Sequence, residues 1–242
     1  MPDGPTIISG YQPGIHSADL GKSISRLDDE ASWVDLSCVI VTPAGGSVPT
    51  RVVSSWMSMI KPPNNRSVHI FAQGCEVGEA YTHIVEAILA NPELSTWKYL
   101  LCIEHDNAPP ADGMVKLLRR MEKHPEYAGI GGLYWTKGIS GVSQVWGDPR
   151  DPSWNARPQK PDPNGGLVEC NGLGMGFTMF RISMFKDTRL RRPWFKTPAS
   201  IYEGASTQDL WFASDARKHG YRFCVDCDVR VGHWEESTQT MW

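Results

Sequence analysis

Two carboxylates, Glu104 and Asp106, directly follow an apolar run in the stretch CIEHDNAPP at residues 102–110. Side chains alternate along an extended strand, so both carboxylates are expected to point the same way and His105 the opposite way. Two like charges this close raise each other's pKa unless a cation lies between them. Mg²⁺ and Mn²⁺ are commonly bound by one or two carboxylates together with phosphate oxygens. The stretch therefore predicts a divalent metal site. The alternative is that Glu104 ends the strand and Asp106 only shapes the turn that follows.

Apolar runs alternate along the chain with segments of helical periodicity, and they predict the strands and helices that position Glu104 and Asp106. Short apolar runs predict strands at 37–43, 67–72, 98–104, 127–133, 167–181 and 221–231. Apolar residues at helical spacing predict helices at 48–60, 79–90, 110–123 and 206–219. This alternation predicts a single-domain, Rossmann-like α/β fold with a mostly parallel central sheet and helices on both faces. Ligands of such sheets bind beyond the carboxyl ends of the strands, where Glu104 and Asp106 are expected.

The composition is that of an ordinary soluble domain, with 242 residues of which 40% are hydrophobic and 21% charged. No basic leader precedes an apolar run, and no stretch approaches the roughly 18 apolar residues of a membrane span. We therefore expect a cytoplasmic protein without a membrane span. The net charge of −3 does not favour a general nucleic-acid-binding surface. The one CxxC pair, Cys224 and Cys227, would face opposite sides of a strand, so no zinc site is expected.

The chain divides into an irregular arm and a longer, ordered part. Residues 1–35 are rich in Gly, Pro, Ser and Asp and show little periodicity. The regular alternation begins at about residue 36 and is interrupted over 135–166 by a Gly-, Pro- and Trp-rich segment. A loop of that length inside a compact domain is usually functional or disordered.

Three motifs follow one another along the ordered part. EHD at 104–106 ends a predicted strand, TQDLW at 207–211 opens a predicted helix, and VRVGHW at 229–234 closes the last strand on a histidine. Together they resemble the nucleotide-sugar glycosyltransferases of the GT-A fold, especially the family 2-like members, in which an acidic motif, a late helix and a final histidine occur in this order. There are two departures: glutamate replaces the more usual first aspartate of the acidic motif, and Gln208 stands where an acid is often found.

The resemblance implies a role for each motif. Glu104 and Asp106, with His233, would hold Mn²⁺ or Mg²⁺, which neutralises the diphosphate of a sugar donor. Asp209 would be the general base that deprotonates an acceptor hydroxyl, and in-line attack would invert the anomeric centre. Retaining enzymes share the metal motif, so the anomeric outcome stays open. An acid in the first turn of a helix is also favoured by the helix dipole alone, which is the alternative for Asp209.

The resemblance further implies a nucleotide-diphosphate sugar as donor, with a UDP-sugar favoured. Residues 36–242 would form the GT-A domain, with 36–134 as the donor-binding half and 135–242 as the acceptor-binding half. Contacts with the donor are expected from residues at the strand ends and in the first helix: Thr42, Pro43, Ala44, Arg51, Gln73, Glu104 and His105. Turn chemistry alone is the alternative for these loops.

The acceptor is indicated by aromatic residues in the poorly periodic segments. Flat faces for stacking on a sugar or an exposed base are expected at Trp135, Trp146, Trp154 and Trp194, or these rings simply pack their loops onto the body. The phrases GGLYWTKG, GMGFTMFR and TQDLWF resemble small soluble glycosyltransferases of bacteriophages, some of which modify hydroxylated pyrimidines in phage DNA. A hydroxymethylated pyrimidine is therefore the expected acceptor, ahead of a cell-surface glycan or a lipid-linked sugar.

Two other functional classes share the predicted sheet. A nucleotidyltransferase would use a similar acidic metal site but needs a Gly-rich phosphate loop with a basic residue near the first strand, which only Gly45, Gly46 and Arg51 approximate. A noncatalytic module would bind a sugar nucleotide without turning it over. The presence of both a candidate base and candidate metal ligands favours the glycosyltransferase.

Overall fold

The structure is a computed structural model that describes residues 6–9, 34–62, 66–150, 157–162, 164–199 and 207–242. The strands, in chain order, are β1 (Thr6–Ser9), β2 (Cys38–Pro43), β3 (Ser67–Gln73), β4 (Tyr99–Ile103), β5 (Asn107–Ala108), β6 (Tyr127–Leu133), β7 (Val145–Trp146), β8 (Leu167–Cys170), β9 (Gly172–Leu173), β10 (Phe177–Arg181), β11 (Arg222–Arg230), β12 (Gly232–Glu235) and β13 (Thr240–Met241). The α-helices are α1 (Thr50–Met57), α2 (Val77–Ala90), α3 (Gly113–Lys123) and α4 (Gln208–Lys218). Short 3₁₀ turns lie at Leu94–Thr96 and Ile182–Lys186.

Eight of the described strands form one sheet in the order β1-β3-β2-β4-β10-β6-β11-β8. Five of them, β2, β3, β4, β6 and β11, run in one direction, and β1, β8 and β10 run in the other. The predicted α/β fold with a mainly parallel central sheet is therefore confirmed. Thr6–Ser9, in the segment predicted to be an irregular arm, pairs with β3 at one edge of this sheet.

The sheet is covered on both faces, as the continuous apolar character of its central strands predicts. Along β2, Val39 and Val41 point into one hydrophobic core, and Cys38 and Ile40 point into the other. The first core contains the apolar faces of α2 and α4, and the second contains that of α3. Burial on both faces makes the sheet a rigid platform for the loops at its ends.

The first helix is shorter than predicted. It begins after Pro49 and ends at Met57, whereas the apolar spacing predicts a helix to residue 60. The backbone N–H of Ile60 donates to the carbonyl of Ala111 at 2.7 Å, which draws the chain out of the helical path. Ile60 consequently lies 54% exposed rather than in the core.

The single strand predicted over 167–181 is wrong, because the segment forms β8, β9 and β10. Strand β8 lies at the edge of the sheet beside β11, whereas β10 lies at the centre between β4 and β6. The chain must therefore leave the sheet and re-enter it, and the glycines of the NGLGMG run allow close approaches on the way. A Cβ on Gly174, for example, would lie 2.2 Å from the hydroxyl oxygen of Tyr134.

A small sheet in the order β13-β12-β5 lies next to the carboxyl end of β4. Its pairing places His233 opposite Asn107, and the backbone N–H of Trp234 donates to the carbonyl of Asp106 at 2.7 Å. The C-terminal region is thereby joined to the loop that follows β4. Within the described ranges, no helix is both long and apolar enough to cross a bilayer.

Candidate functional site

A cavity of about 580 Å³ opens at the carboxyl ends of the parallel strands β2, β3 and β4. Its walls are completed by the start of α2 and the start of α4. The lining residues are Pro43, Ala44, Gly45, Gly74, Cys75, Val77, Glu104, His105, Asp106 and Gln208. The cavity is thus where ligands of open α/β sheets bind, and it contains the carboxylate pair.

The carboxylate pair is carried by a turn, not by the strand. Strand β4 ends at Ile103, and the backbone N–H of Asn107 donates to the carbonyl of Glu104 at 3.0 Å. The expectation that strand alternation aims His105 away from the two acids is therefore wrong. All three residues of the EHD motif line the cavity, and the turn replaces the pleat on which strict alternation depends.

Asp106 is the most heavily contacted acid of the site. Its Oδ2 lies 2.6 Å from Nζ of Lys137 and 3.5 Å from Nε2 of His233. Burial raises the pKa of this carboxyl, but the hydrogen bonds and positive charge of His233 and Lys137 more than offset it. The net pKa of Asp106 therefore lies below its usual range, and the group is ionised at neutral pH.

His233 is oriented by its other ring nitrogen. Nδ1 lies 2.8 Å from the carbonyl oxygen of Trp135, which can only accept, so Nδ1 carries a proton. The ring of Tyr134 packs edge-on against the imidazole, with the centroids 5.6 Å apart. Nε2 therefore faces Oδ2 of Asp106, 3.5 Å away.

Glu104 is held in the opposite charge state. Burial is the main cause that raises its pKa to about 8, and the nearby charges of Asp106 and Asp209 add to the effect. The hydroxyl of Tyr81 lies 3.5 Å from Oε1 of Glu104, and Lys137 is also close enough to oppose the shift. In the absence of a further cation, Glu104 is therefore mostly protonated at neutral pH.

Asp209 lies in the first turn of α4 and is only 7% exposed. Its Oδ1 accepts hydrogen bonds from the hydroxyl of Thr207 and from the backbone N–H of Leu210, the latter at 2.8 Å. Burial raises the pKa of Asp209, and these hydrogen bonds oppose the increase. The side chain is not part of the cavity wall, but the preceding residue, Gln208, is.

The residues expected to contact the donor divide into two groups. Pro43 and Ala44 line the cavity. Thr42 does not, because it is fully buried and its hydroxyl lies 2.8 Å from Nε2 of His69. Gln73, the last residue of β3, is also absent from the cavity wall, although Gly74 and Cys75 directly after it are present.

Arg51 lies apart from the cavity wall. Its guanidinium stacks over the indole of Trp234, 5.5 Å from the ring centroid. Trp234 directly follows His233, so Arg51 belongs to the side of the site formed by β12.

The four tryptophans expected to bind the acceptor have different environments. The prediction that Trp194 offers a stacking surface is wrong, because this residue is only 1% exposed and packs edge-on against Phe185 in the core. Trp135 and Trp146 are half-buried: Trp135 packs against the first core, and the indole nitrogen of Trp146 is buried. Trp154 lies outside the described residues.

Some side chains at this site are of the types that bind a divalent metal ion. Asp106 and His233 converge, and the carbonyl bonded to Nδ1 of His233 is the outer-shell partner that metal-binding histidines usually have. Glu104 lines the same cavity. In the described part of the chain, however, no group of three or more His, Cys, Asp or Glu side chains is close enough to hold a metal. Two of the three predicted ligands are thus brought together, and their role as metal ligands stays a prediction.

Three residues of the site were not predicted as site residues. Lys137 reaches Asp106 from the loop after β6, Tyr81 approaches Glu104 from α2, and Tyr134 lies close to Glu104 directly after β6. Lys137 and Tyr134 belong to the GGLYWTKG phrase, which gave a resemblance but no role for either residue. Tyr81 looks like an ordinary core residue of a helix in the sequence.

Similarity to solved structures concerns the fold. A197 from STIV matches with a TM-score of 0.59 and 16% identity, over 85% of this chain and 92% of that chain. GalNAc-T7, solved with UDP, GalNAc and Mn²⁺, matches with a TM-score of 0.55 and 9% identity, over 82% of this chain and 44% of that chain. No protein-family model and no curated protein sequence matches. The two structural similarities show that the chain has the GT-A fold that its motifs predict.

Proposed function

We propose that the protein transfers a sugar from a nucleotide-diphosphate sugar to a hydroxyl acceptor with inversion, and that a UDP-sugar is the donor. The observation that carries this proposal is the convergence of Asp106 and His233, from distant parts of the chain, at a cavity beyond the parallel strand ends. A GT-A-fold structure that contains UDP, a sugar and Mn²⁺ supports the same choice of ligand class.

The donor would occupy the cavity. A volume of about 580 Å³ is within the range of small-molecule sites. The loops that follow β2 and β3 would form the walls for the base and ribose, through Ala44 and Gly45 on one side and Gly74 on the other. Glycines at these positions let the backbone approach the ligand closely.

Asp106 and His233 would hold Mn²⁺ or Mg²⁺, and Glu104 would contribute once a cation favours its ionised form. Such an ion supplies positive charge that stabilises the departing nucleotide diphosphate. Asp106 is already ionised in this structure because Lys137 and His233 stabilise its negative charge. The hydrogen bond from Nδ1 of His233 to the carbonyl of Trp135 keeps Nε2 directed at Asp106, and Nε2 would bind the ion in its deprotonated form.

Asp209 would accept the proton of the acceptor hydroxyl. Its raised pKa makes the carboxylate a stronger base than an exposed aspartate, which favours proton transfer near neutral pH. The bonds from Thr207 and Leu210 to Oδ1 fix the orientation of the carboxyl group. The acceptor would reach Asp209 past Gln208, which lines the cavity.

Donor hydrolysis, measured with and without Mn²⁺, tests the proposal. We expect turnover of a UDP-sugar with Mn²⁺, and a loss of about 100-fold or more in the Asp106→Asn variant. Asp112→Asn is the matched control, because Asp112 also pairs with a lysine, Lys116, at 2.9 Å but lies on the exposed start of α3. Equal turnover in wild type and Asp106→Asn would refute the metal role. Release of pyrophosphate from a nucleoside triphosphate would instead indicate a nucleotidyltransferase.

We propose a hydroxymethylated pyrimidine in DNA as the acceptor, on the basis of the sequence resemblance. The half-buried residues Trp135 and Trp146 would offer the surfaces on which an exposed base stacks. Labelled sugar nucleotides incubated with hydroxymethylated and unmodified DNA provide the test, with transfer expected only to the modified DNA. Transfer to a glycan or a lipid-linked sugar, and to neither DNA, would replace this acceptor.

A further inference from the structure

Lys137 shares one carboxylate oxygen with the proposed metal site. Its Nζ lies 2.6 Å from Oδ2 of Asp106, the same oxygen that lies 3.5 Å from Nε2 of His233. The side chain of Lys137 is 32% exposed, so solvent reaches part of it. The ammonium group thus supplies a positive charge where a metal ion would supply one.

Backbone contacts hold the loop that carries Lys137. The chain between β6 and β7 folds back on itself, because Trp135 bridges to Ser143 and the N–H of Thr136 donates to the carbonyl of Val142 at 2.8 Å. Gly138 turns this loop with a φ of +97°. The same loop therefore provides the carbonyl that orients His233 and the lysine that neutralises Asp106.

We propose that Lys137 is a counterion which a divalent metal ion displaces from Asp106, and that the released ammonium group binds the diphosphate of the donor. The second half of this proposal rests on the proposed function. A divalent ion and an ammonium group in contact with one carboxylate oxygen repel each other, so they exclude one another at Asp106. Lysine is a compact point charge on a flexible four-carbon stem, which suits a move from a carboxylate to a phosphate.

The exchange predicts opposite effects on two ligands. Without Lys137, a metal ion no longer competes with the ammonium group, so Mn²⁺ alone binds more tightly. With Mn²⁺ in place, the diphosphate loses a cationic partner, so UDP binds more weakly. A lysine that stays on Asp106 when the ion binds predicts no loss of UDP affinity, since its ammonium group would never reach the diphosphate.

Lys137→Met tests the exchange, because methionine keeps most of the apolar stem and removes the charge. Calorimetric titration with Mn²⁺ in the absence of nucleotide should show binding about tenfold tighter than in wild type. Titration with UDP at saturating Mn²⁺ should show binding weaker by a factor of about five to ten. Lys218→Met is the matched control, because it removes the same charge at the far end of α4, about 15 Å along the helix from Gln208.

The outcomes separate this proposal from the proposed function. Equal Mn²⁺ affinity in wild type and Lys137→Met, or no Mn²⁺ binding to either, overturns the exchange. Equal tightening in Lys218→Met overturns it too, because net charge would then be the cause. Adding Asp106→Asn to Lys137→Met should abolish the tightened binding, and its persistence would show that Asp106 is not the shared ligand. A protein that shows the Mn²⁺ effect yet turns over no sugar nucleotide would support the displacement and refute the glycosyltransferase activity.

Discussion

Glu104 provides a sharp test of the electrostatics of the site through the pH dependence of stability. Its pKa is raised from 4.5 to about 8 in the folded protein, mainly by burial and then by the charges of Asp106 and Asp209. The folded state therefore favours the protonated form. The stabilisation this gives is fully present below the unfolded pKa and is lost as the pH rises through the folded pKa. Replacing Glu104 with glutamine should remove this loss.

The size of the effect follows from the difference between the two pKa values. At about 1.4 kcal/mol per pH unit, the full difference corresponds to roughly 5 kcal/mol. Glu104 faces an open cavity, where water screens part of its charge, so about 2 kcal/mol is the realistic figure. Glu104→Gln should thus match wild type near pH 4 and exceed its free energy of unfolding by about 2 kcal/mol near pH 8.5.

Urea unfolding monitored by circular dichroism at several pH values, with a chelator to exclude metals, measures this difference. Glu86→Gln is the control, because Glu86 is an exposed glutamate on α2 and should follow wild type at every pH. Parallel pH profiles for Glu104→Gln and wild type would refute the reasoning, since they would show that Glu104 ionises normally. A variant less stable than wild type at high pH would refute it as well.

Three further predictions concern catalysis, accessibility and packing. Asp209→Asn should lower kcat by about 10²–10⁴-fold and leave the donor KM nearly unchanged in steady-state assays, and an unchanged kcat would exclude the base role. Cys75 is half-buried and lines the cavity, whereas the five other cysteines are buried. UDP with Mn²⁺ should therefore slow the alkylation of Cys75, measured by mass spectrometry. An unchanged alkylation rate would place the nucleotide elsewhere. Gly176→Ala should lose about 1–3 kcal/mol in urea unfolding, because its Cβ would lie 2.5 Å from Oδ1 of Asn107. Gly45→Ala should keep the stability of wild type, because no atom lies within 4 Å of the added Cβ. An equal loss of stability in both variants would contradict the packing argument.

The core helices and strands were predictable because each of their sequences shows a single clear pattern, either helical spacing of apolar residues or a short apolar run. The strand predicted at 127–133 coincides with β6, and the helix predicted at 79–90 differs from α2 only at its start, where Glu76 caps the helix through the N–H groups of Gly78 and Glu79. Local patterns fail where tertiary contacts decide the path. Three strands instead of one over 167–181 follow from where β8 and β10 lie in the sheet, and no periodicity records that.

The sequence by itself determined the α/β fold, the position of Glu104 and Asp106 directly after a buried strand, and the order of the motifs. These follow from side-chain burial and backbone chemistry that act over a few neighbouring residues. The tertiary structure alone decided which groups meet there. The pairing of β5 with β12 brings His233 to Asp106 across more than a hundred residues, and the loop after β6 adds Lys137. Tertiary packing also set the charge states of the two acids. Burial and the neighbouring carboxylates keep Glu104 protonated, whereas Lys137 and His233 keep Asp106 ionised.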